Sequence, residues 1–174
     1  GLATEVKIPF NSVNDRIAKN TYYSNGKLKS TSQNVQDENS TTEKWSTTEY
    51  EYNSQGLLST VILGEQGQNR NYTYHFYNQD GVKTEMYTGL TAPLTSNSTG
   101  YLTTSYEYDN WNRSINTSDS TGYNFGTAEY DLNGNIISSI NANGDETITA
   151  YDLLGRPTNI SVDTGDSSKD ITQT

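Results

Sequence analysis

Tyr130-Asp131-Leu132-Asn133-Gly134-Asn135-Ile136 returns, 151 − 130 = 21 residues later, as Tyr151-Asp152-Leu153-Leu154-Gly155-Arg156-Pro157. Reduced to its fixed points, the unit is a tyrosine, three residues and a glycine. It recurs upstream as Tyr22 with Gly26, Tyr52 with Gly56, Tyr77 with Gly81, and Tyr108 with Asn112 in place of glycine. The steps between tyrosines are 52 − 22 = 30, 77 − 52 = 25, 108 − 77 = 31, 130 − 108 = 22 and 21. The last copies are regular, and the earlier ones carry extra loop residues. Self-similarity at such a period marks an array of small supersecondary units.

Each copy has a physical reading. An alternating run such as Thr147-Ile148-Thr149-Ala150-Tyr151 suits a strand with one half-buried face. Gly or Asn four residues after the tyrosine supplies positive φ for a turn, and the Asp or Asn after the tyrosine can bind the turn backbone. A second strand follows, as in Leu57 to Leu63, and a second turn closes the unit. Asn143-Gly144 is a strong hairpin signal for that second turn, and Glu65-Gln66-Gly67 a weaker one. Six copies therefore predict about a dozen strands in an all-β antiparallel meander of hairpins, a curved or spiralling elongated sheet. A lone hairpin cannot bury its apolar face, so neighbouring copies must stack, with the motif tyrosines as the contacts between repeats. No window shows helical periodicity.

Composition agrees with a thin sheet. The 174 residues are 30% hydrophobic with 14 glycines, below the usual apolar share of a globular domain. Disorder is disfavoured by 14 tyrosines and a charged fraction of only 18%. Cysteine is absent, which excludes disulfides and thiolate metal sites. The net charge of −10 and pI near 4.4 repel phosphate backbones, so nucleic acid is not an expected partner. No stretch is long and apolar enough to predict a transmembrane helix. Gly1-Leu2-Ala3-Thr4 lacks the parts of a signal peptide, so any leader is expected to be already removed. Residues 1–21 are expected to form an edge strand or cap around Val6-Lys7-Ile8-Pro9-Phe10, residues 22–162 one domain of six repeats, and residues 163–174 a frayed tail. Thr31 to Lys44 reads as a long mobile loop and Ala92 to Gly100 as a second loop.

The motif resembles the YD or RHS repeat, whose pattern is Tyr-Asp, two variable residues, Gly, Arg and Leu. Copies five and six match best, with Gly155-Arg156 nearly complete, and the likeness runs over roughly residues 22–162. The resemblance implies spiralling β-sheets, a bacterial secreted or cell-surface setting, and an association with carbohydrate binding. Some members build large shells around toxin cargo; others form adhesion barrels. Departures narrow this. Asp follows the tyrosine only as Asp109, Asp131 and Asp152, while Tyr23, Asn53 and Asn78 stand elsewhere. Six copies are too few to enclose cargo, and no Asp-Pro dipeptide exists for the shells' self-cleavage signature.

No catalytic or metal-binding constellation emerges, and no cofactor is implied. His75, the only histidine, takes a place that Tyr50 and Tyr106 hold in other copies, so it reads as a packing residue. Glycoside hydrolysis by paired carboxylates is the enzymatic alternative. Asp109, Asp131 and Asp152, however, are explained together as turn builders; a pocket lined by two convergent acids away from turns would favour the enzyme. The acidic loops around Asp131 and Asp145 lack the EF-hand pattern and suit at most weak calcium binding. Six Asn-x-Ser/Thr sequons (Asn39, Asn71, Asn97, Asn112, Asn116, Asn159) are expected by chance in so Asn-, Ser- and Thr-rich a chain. Trp111 and Trp45 remain. An indole in a turn has no evident packing duty and suits stacking on a sugar face or partner surface. The resulting expectation is a non-enzymatic surface scaffold or binding module whose partners are glycans or surface proteins. The third alternative is a fragment of a larger RHS-type shell.

Overall fold

The computed structural model describes residues 3–9, 15–35, 44–64 and 69–173. Every regular element among them is a strand. They are β1 (Ala3–Pro9), β2 (Asp15–Tyr22), β3 (Leu28–Val35), β4 (Lys44–Tyr52), β5 (Leu58–Leu63), β6 (Asn71–Tyr77), β7 (Lys83–Leu90), β8 (Leu102–Tyr108), β9 (Ser114–Asp119), β10 (Asn124–Tyr130), β11 (Ile136–Asn141), β12 (Glu146–Tyr151), β13 (Pro157–Asp163) and β14 (Ile171–Gln173). Strand order is sequence order, and successive strands pair antiparallel, so the chain is the predicted all-β meander. The chain divides into two compact units, Gly1–Gly81 with Met86–Tyr101, and Val82–Glu85 with Leu102–Thr174.

One local device repeats in both units. The residue after the motif tyrosine accepts a hydrogen bond from the turn glycine (Asn112 in the fourth copy) and, in five of the six copies, donates one to the residue beyond it. In the second copy these are Gly56 N–H to Asn53 O at 2.8 Å and Asn53 N–H to Leu57 O at 2.9 Å. This is the three-residue hairpin loop closed by a left-handed residue. The motif glycines Gly26, Gly56, Gly81, Gly134 and Gly155 have φ between 75° and 91°, and Asn112 takes the same region at 61°. The glycines adopt it without a Cβ penalty, and asparagine is among the few other residues that tolerate it.

Five of these turns hand over to a bulge in the same register. Tyr22 pairs with Leu28, Tyr52 with Leu58, Tyr108 with Ser114, Tyr130 with Ile136 and Tyr151 with Pro157, each with a shift just before the tyrosine. The bulge frees a carbonyl toward the neighbouring repeat, and the next motif tyrosine takes it. The hydroxyl of Tyr77 donates to Leu58 O at 2.8 Å, that of Tyr130 to Ser114 O at 2.9 Å, and that of Tyr151 to Ile136 O at 3.0 Å. Tyrosine is thus useful twice, as an apolar ring and as the donor a bulged backbone needs.

The first unit also has a small core. Ile62, Tyr72 and Leu90 are 5%, 8% and 5% exposed. Tyr74, Tyr87, Leu94 and Tyr101 pack around them. The loop from Ala92 to Gly100 supplies part of the cover, since Leu94 N–H donates to the Tyr74 hydroxyl at 3.0 Å. From the Leu57–Leu63 run this core takes Ile62, while Leu63 stays 49% exposed.

Two sequence expectations change. Thr31–Val35 and Lys44 belong to strands β3 and β4, with Ser32 paired to Thr47, rather than to a long loop. The polar alternation of Thr31-Ser32-Gln33-Asn34 is that of a strand in a polar-faced sheet, which resembles a loop in composition alone. Residues 36–43, and the Glu65-Gln66-Gly67 turn, lie outside the described residues. Within the expected tail, Ile171–Gln173 pair with Ile160–Val162 as β14.

Candidate binding groove

Trp111 occupies the tip of the turn after β8. Its backbone N–H donates to Asp109 Oδ1 at 2.9 Å, and the same oxygen accepts Arg113 N–H at 3.0 Å. The carboxylate so fixes the turn that presents the indole. Trp111 is 66% exposed. One side of it is supported by Arg113, whose guanidinium stands 4.9 Å from the indole and 4.4 Å from the Tyr130 ring. The guanidinium is itself held by Asp109 Oδ2 at 2.6 Å and by the carbonyl of Asp131, in the next turn, at 2.9 Å. A cation clamped between rings is favourable and costs little further ordering on binding.

Beyond these three side chains an open groove of about 650 Å³ continues over the sheet. Glu107, Asn116 and Glu129 line it from β8, β9 and β10, and Asn116 Nδ2 donates to Glu107 Oε2 at 3.2 Å. Sequence reading found Trp111 but missed Arg113, Tyr130 as part of the same groove, and the two glutamates. Register brings them together: Glu107 pairs with Asn116, and Asn116 with Thr127, two residues before Glu129.

The motif aspartates are committed to their turns. Asp131 Oδ1 accepts Asn133 N–H and Asn135 N–H, and its Oδ2 accepts Asn135 Nδ2 at 2.8 Å. Asp152 accepts Leu154 N–H and Arg156 N–H at 2.9 Å each, and the Arg156 Nε at 2.8 Å. All three carboxyls are held below the ordinary aspartate range. For Asp131 the first cause is the Asn135 amide; for Asp152 it is the Arg156 backbone N–H, then its guanidinium. For Asp109 partial desolvation pushes upward most, but the hydrogen bonds from Arg113 and Trp111 together outweigh it. Asp119 and Asn141 build the same turn at the opposite hairpin ends: Asp119 Oδ1 accepts Thr121 and Tyr123 N–H, and Asn141 Oδ1 accepts Asn143 and Asp145 N–H.

The residue after the turn glycine (or Asn112) links successive copies at four junctions. Lys27 donates to Gly56 O, and a Cβ on Gly81 would meet Leu57 at 3.3 Å. Arg113 and Asn135 stand likewise beside Gly134 and Gly155. Trp45 has a different setting. It is half-buried in β4 of the first unit, paired with Asn34, with the Lys19 ammonium 4.7 Å from its ring. His75 lies half-buried in β6.

The family model described as RHS Repeat matches residues 130–167. That segment is similar to an RHS repeat. It contains the two most regular tyrosine-glycine copies, and the same turn, bulge and tyrosine register extends to the earlier ones. The fold is shared with a chain in a solved structure, the crystal structure of TcdB2-TccC3-Cdc42, with a TM-score of 0.62 and 18% identity over 91% of this chain. This chain spans only 8% of that one. A porin-like protein from Bacteroides uniformis ATCC 8492 aligns over 98% of this chain and 91% of its own, with 14% identity and a TM-score of 0.39, too low to carry a shared fold. No curated protein sequence matches.

Proposed function

We propose that this RHS-repeat chain is a non-enzymatic scaffold of the cell surface or the secreted space, and that its Trp111 groove binds neutral saccharides. The observation that carries the proposal is the indole itself, 66% exposed with a guanidinium 4.9 Å from its ring. Such a face stacks on the C–H side of a sugar ring, while Glu107, Glu129 and Asn116 offer acceptors and a donor to its hydroxyls. Anionic sugars are disfavoured by those glutamates and by a net charge of −10. A secreted or surface setting, bacterial by resemblance, fits the repeat and the acidic, cysteine-free composition. Among the described residues no helix is long and apolar enough to cross a membrane.

The scaffold reading draws support from the turn aspartates, whose carboxylates are occupied by N–H donors and kept ionised, the wrong state for a general acid. Glu107 and Glu129 give the hydrolase alternative its one favourable observation, since both are strand residues lining one groove. Both are exposed, in an open groove that does not shelter a glycosidic bond from water. A part in a larger RHS-type assembly remains compatible, because the chain spans 8% of the matched solved chain.

A glycan array probed with wild type, Trp111→Ala and Trp45→Ala tests the proposal. Wild type and Trp45→Ala should bind a neutral glycan, and Trp111→Ala should lose at least about tenfold in affinity, as for an aromatic anchor. Absence of wild-type binding, or binding indifferent to Trp111, rejects the groove. Release of reducing ends from a bound glycan, abolished in Glu107→Gln or Glu129→Gln, would replace the scaffold with the hydrolase.

A further inference from the structure

The first unit contains a groove assembled from the same repeat positions as the Trp111 groove. The residue after the turn glycine is Lys27, equivalent to Arg113. The next motif tyrosine is Tyr52, equivalent to Tyr130, and the acid before it is Glu51, equivalent to Glu129. The chemistry repeats as well as the positions. The Lys27 ammonium stands 4.7 Å from the Tyr52 ring and donates to Gly56 O in the next turn, as Arg113 stacks on Tyr130 and donates to Asp131 O. The resulting space is open and about 460 Å³.

Its aromatic platform is displaced within the turn. Asn25 stands where the other groove has Trp111, while Tyr23 stands where it has Asp109. The Tyr23 ring meets Tyr52 edge-on, with centroids 6.1 Å apart and planes at 84°, and its hydroxyl is tied to Tyr50 O at 3.0 Å. Two rings at a right angle beside an ammonium and a carboxylate form a rigid corner, apolar on two walls and polar on the third. That corner suits a polyhydroxylated ring.

The fold does not require these charges. At two other junctions the residue after the turn glycine is Leu57 or Asn135, and the residue before the next motif tyrosine is Phe76 or Ala150. Leu57 still lies against the next turn at Gly81, and the Tyr77 and Tyr151 hydroxyls still reach the carbonyls of Leu58 and Ile136. Stacking is thus completed at those junctions without a cation or an acid, so the charges of the Lys27–Glu51 and Arg113–Glu129 sets are additions to a contact the fold makes with neutral residues.

We infer that the Lys27–Tyr52–Glu51 groove is a second neutral-saccharide site, so that one chain carries two sites of one construction. The inference rests on the saccharide reading of the Trp111 groove and adds to it a place and a stoichiometry. Titration calorimetry with maltotetraose, cellotetraose, laminaritetraose and chitotetraose as probes tests it, on wild type, Trp111→Ala, and Lys27→Leu with Glu51→Gln. Leucine is the residue the chain itself uses at position 57, so the inter-repeat contact is retained, and cooperative unfolding followed by Trp45 fluorescence verifies the fold. Two sites are expected in wild type, one in either altered protein, and none in the combination. A single site that vanishes with Trp111→Ala overturns the second site and leaves the first intact. Two sites unaffected by Lys27→Leu with Glu51→Gln also overturn it. No heat with any tetrasaccharide in wild type removes the saccharide reading and this inference together.

Discussion

The two units share a turn, a bulge and a tyrosine staple, yet they are held together differently. Among the described residues, all three buried apolar side chains (Ile62, Tyr72 and Leu90) lie in the first unit. Of the described large apolar residues left exposed, Leu63 alone belongs to it; Phe125, Ile140 and Ile148 are among those of the second. The second unit instead concentrates charged turn staples at Asp109, Asp119, Asp131 and Asp152, where the first has Tyr23, Asn53 and Asn78. The difference teaches that the repeat needs no core to set its register. Local hydrogen bonds close each hairpin, and a core is added where a loop such as Ala92–Gly100 is long enough to fold over the sheet.

Because each tryptophan reports on one unit, the comparison can be broken by experiment. Trp111→Phe leaves Trp45 as the probe of the first unit, and Trp45→Phe leaves Trp111 for the second. The largest effect is expected from Tyr72→Ala, about 3–5 kcal/mol in urea unfolding followed by Trp45, as for other large buried aromatics. Ile148, 50% exposed, should cost under about 1 kcal/mol as alanine, followed by Trp111. Equal costs would mean that the second unit has a hidden core and that the contrast is false.

Removal of one hydroxyl addresses what the units share. Tyr77→Phe in the first and Tyr130→Phe in the second each delete a donor to a bulged carbonyl and keep the ring. Each should cost about 0.5–1.5 kcal/mol, the usual net value of one hydrogen bond. A loss in one unit alone would show that the staple belongs to that unit's packing and is no common device.

Legibility in the sequence followed the range of the interaction. Turns were readable because positive φ and an Asx side chain act within five residues, and the tyrosine period followed from them. The turn at Asp119–Gly122 escaped notice since no tyrosine precedes it, although its Asp and Gly carry the same chemistry. Thr31–Val35 were mistaken for loop because polar strands and loops share a composition. Of the groove, Trp111 stood out as a large aromatic in a turn. Glu107 and Glu129 did not, because their meeting depends on the pairing of three strands, 22 residues apart in sequence (129 − 107). Arg113 escaped notice as well, because its stacking between Trp111 and Tyr130 is a tertiary fact.

The subtlest contrast is acid sensitivity. Asp109, Asp119, Asp131 and Asp152, all in the second unit, titrate below their ordinary 3.8 in the folded chain because hydrogen-bond donors hold the ionised form. A carboxyl whose native pKa is depressed contributes stability that is complete above the unfolded value and is lost as pH falls through the native one. The contribution is therefore intact at neutral pH, begins to fall near about pH 4 and is lost as pH drops through the depressed native values. The urea midpoint reported by Trp111 should fall more steeply between about pH 5 and pH 2.5 than the midpoint reported by Trp45. The first unit has an ion pair of its own, Arg70 with Glu49 at 2.6 Å, so the expected result is a difference in slope. Asp131→Asn sharpens the test. Asparagine at this turn position still accepts the backbone N–H, as Asn53 accepts Leu57 N–H at 2.9 Å, but it cannot be protonated in this range. The variant should keep its fold at pH 7 and lose part of the Trp111 acid slope, while parallel slopes for the two tryptophans in wild type would show that the turn carboxylates do not set the second unit's stability.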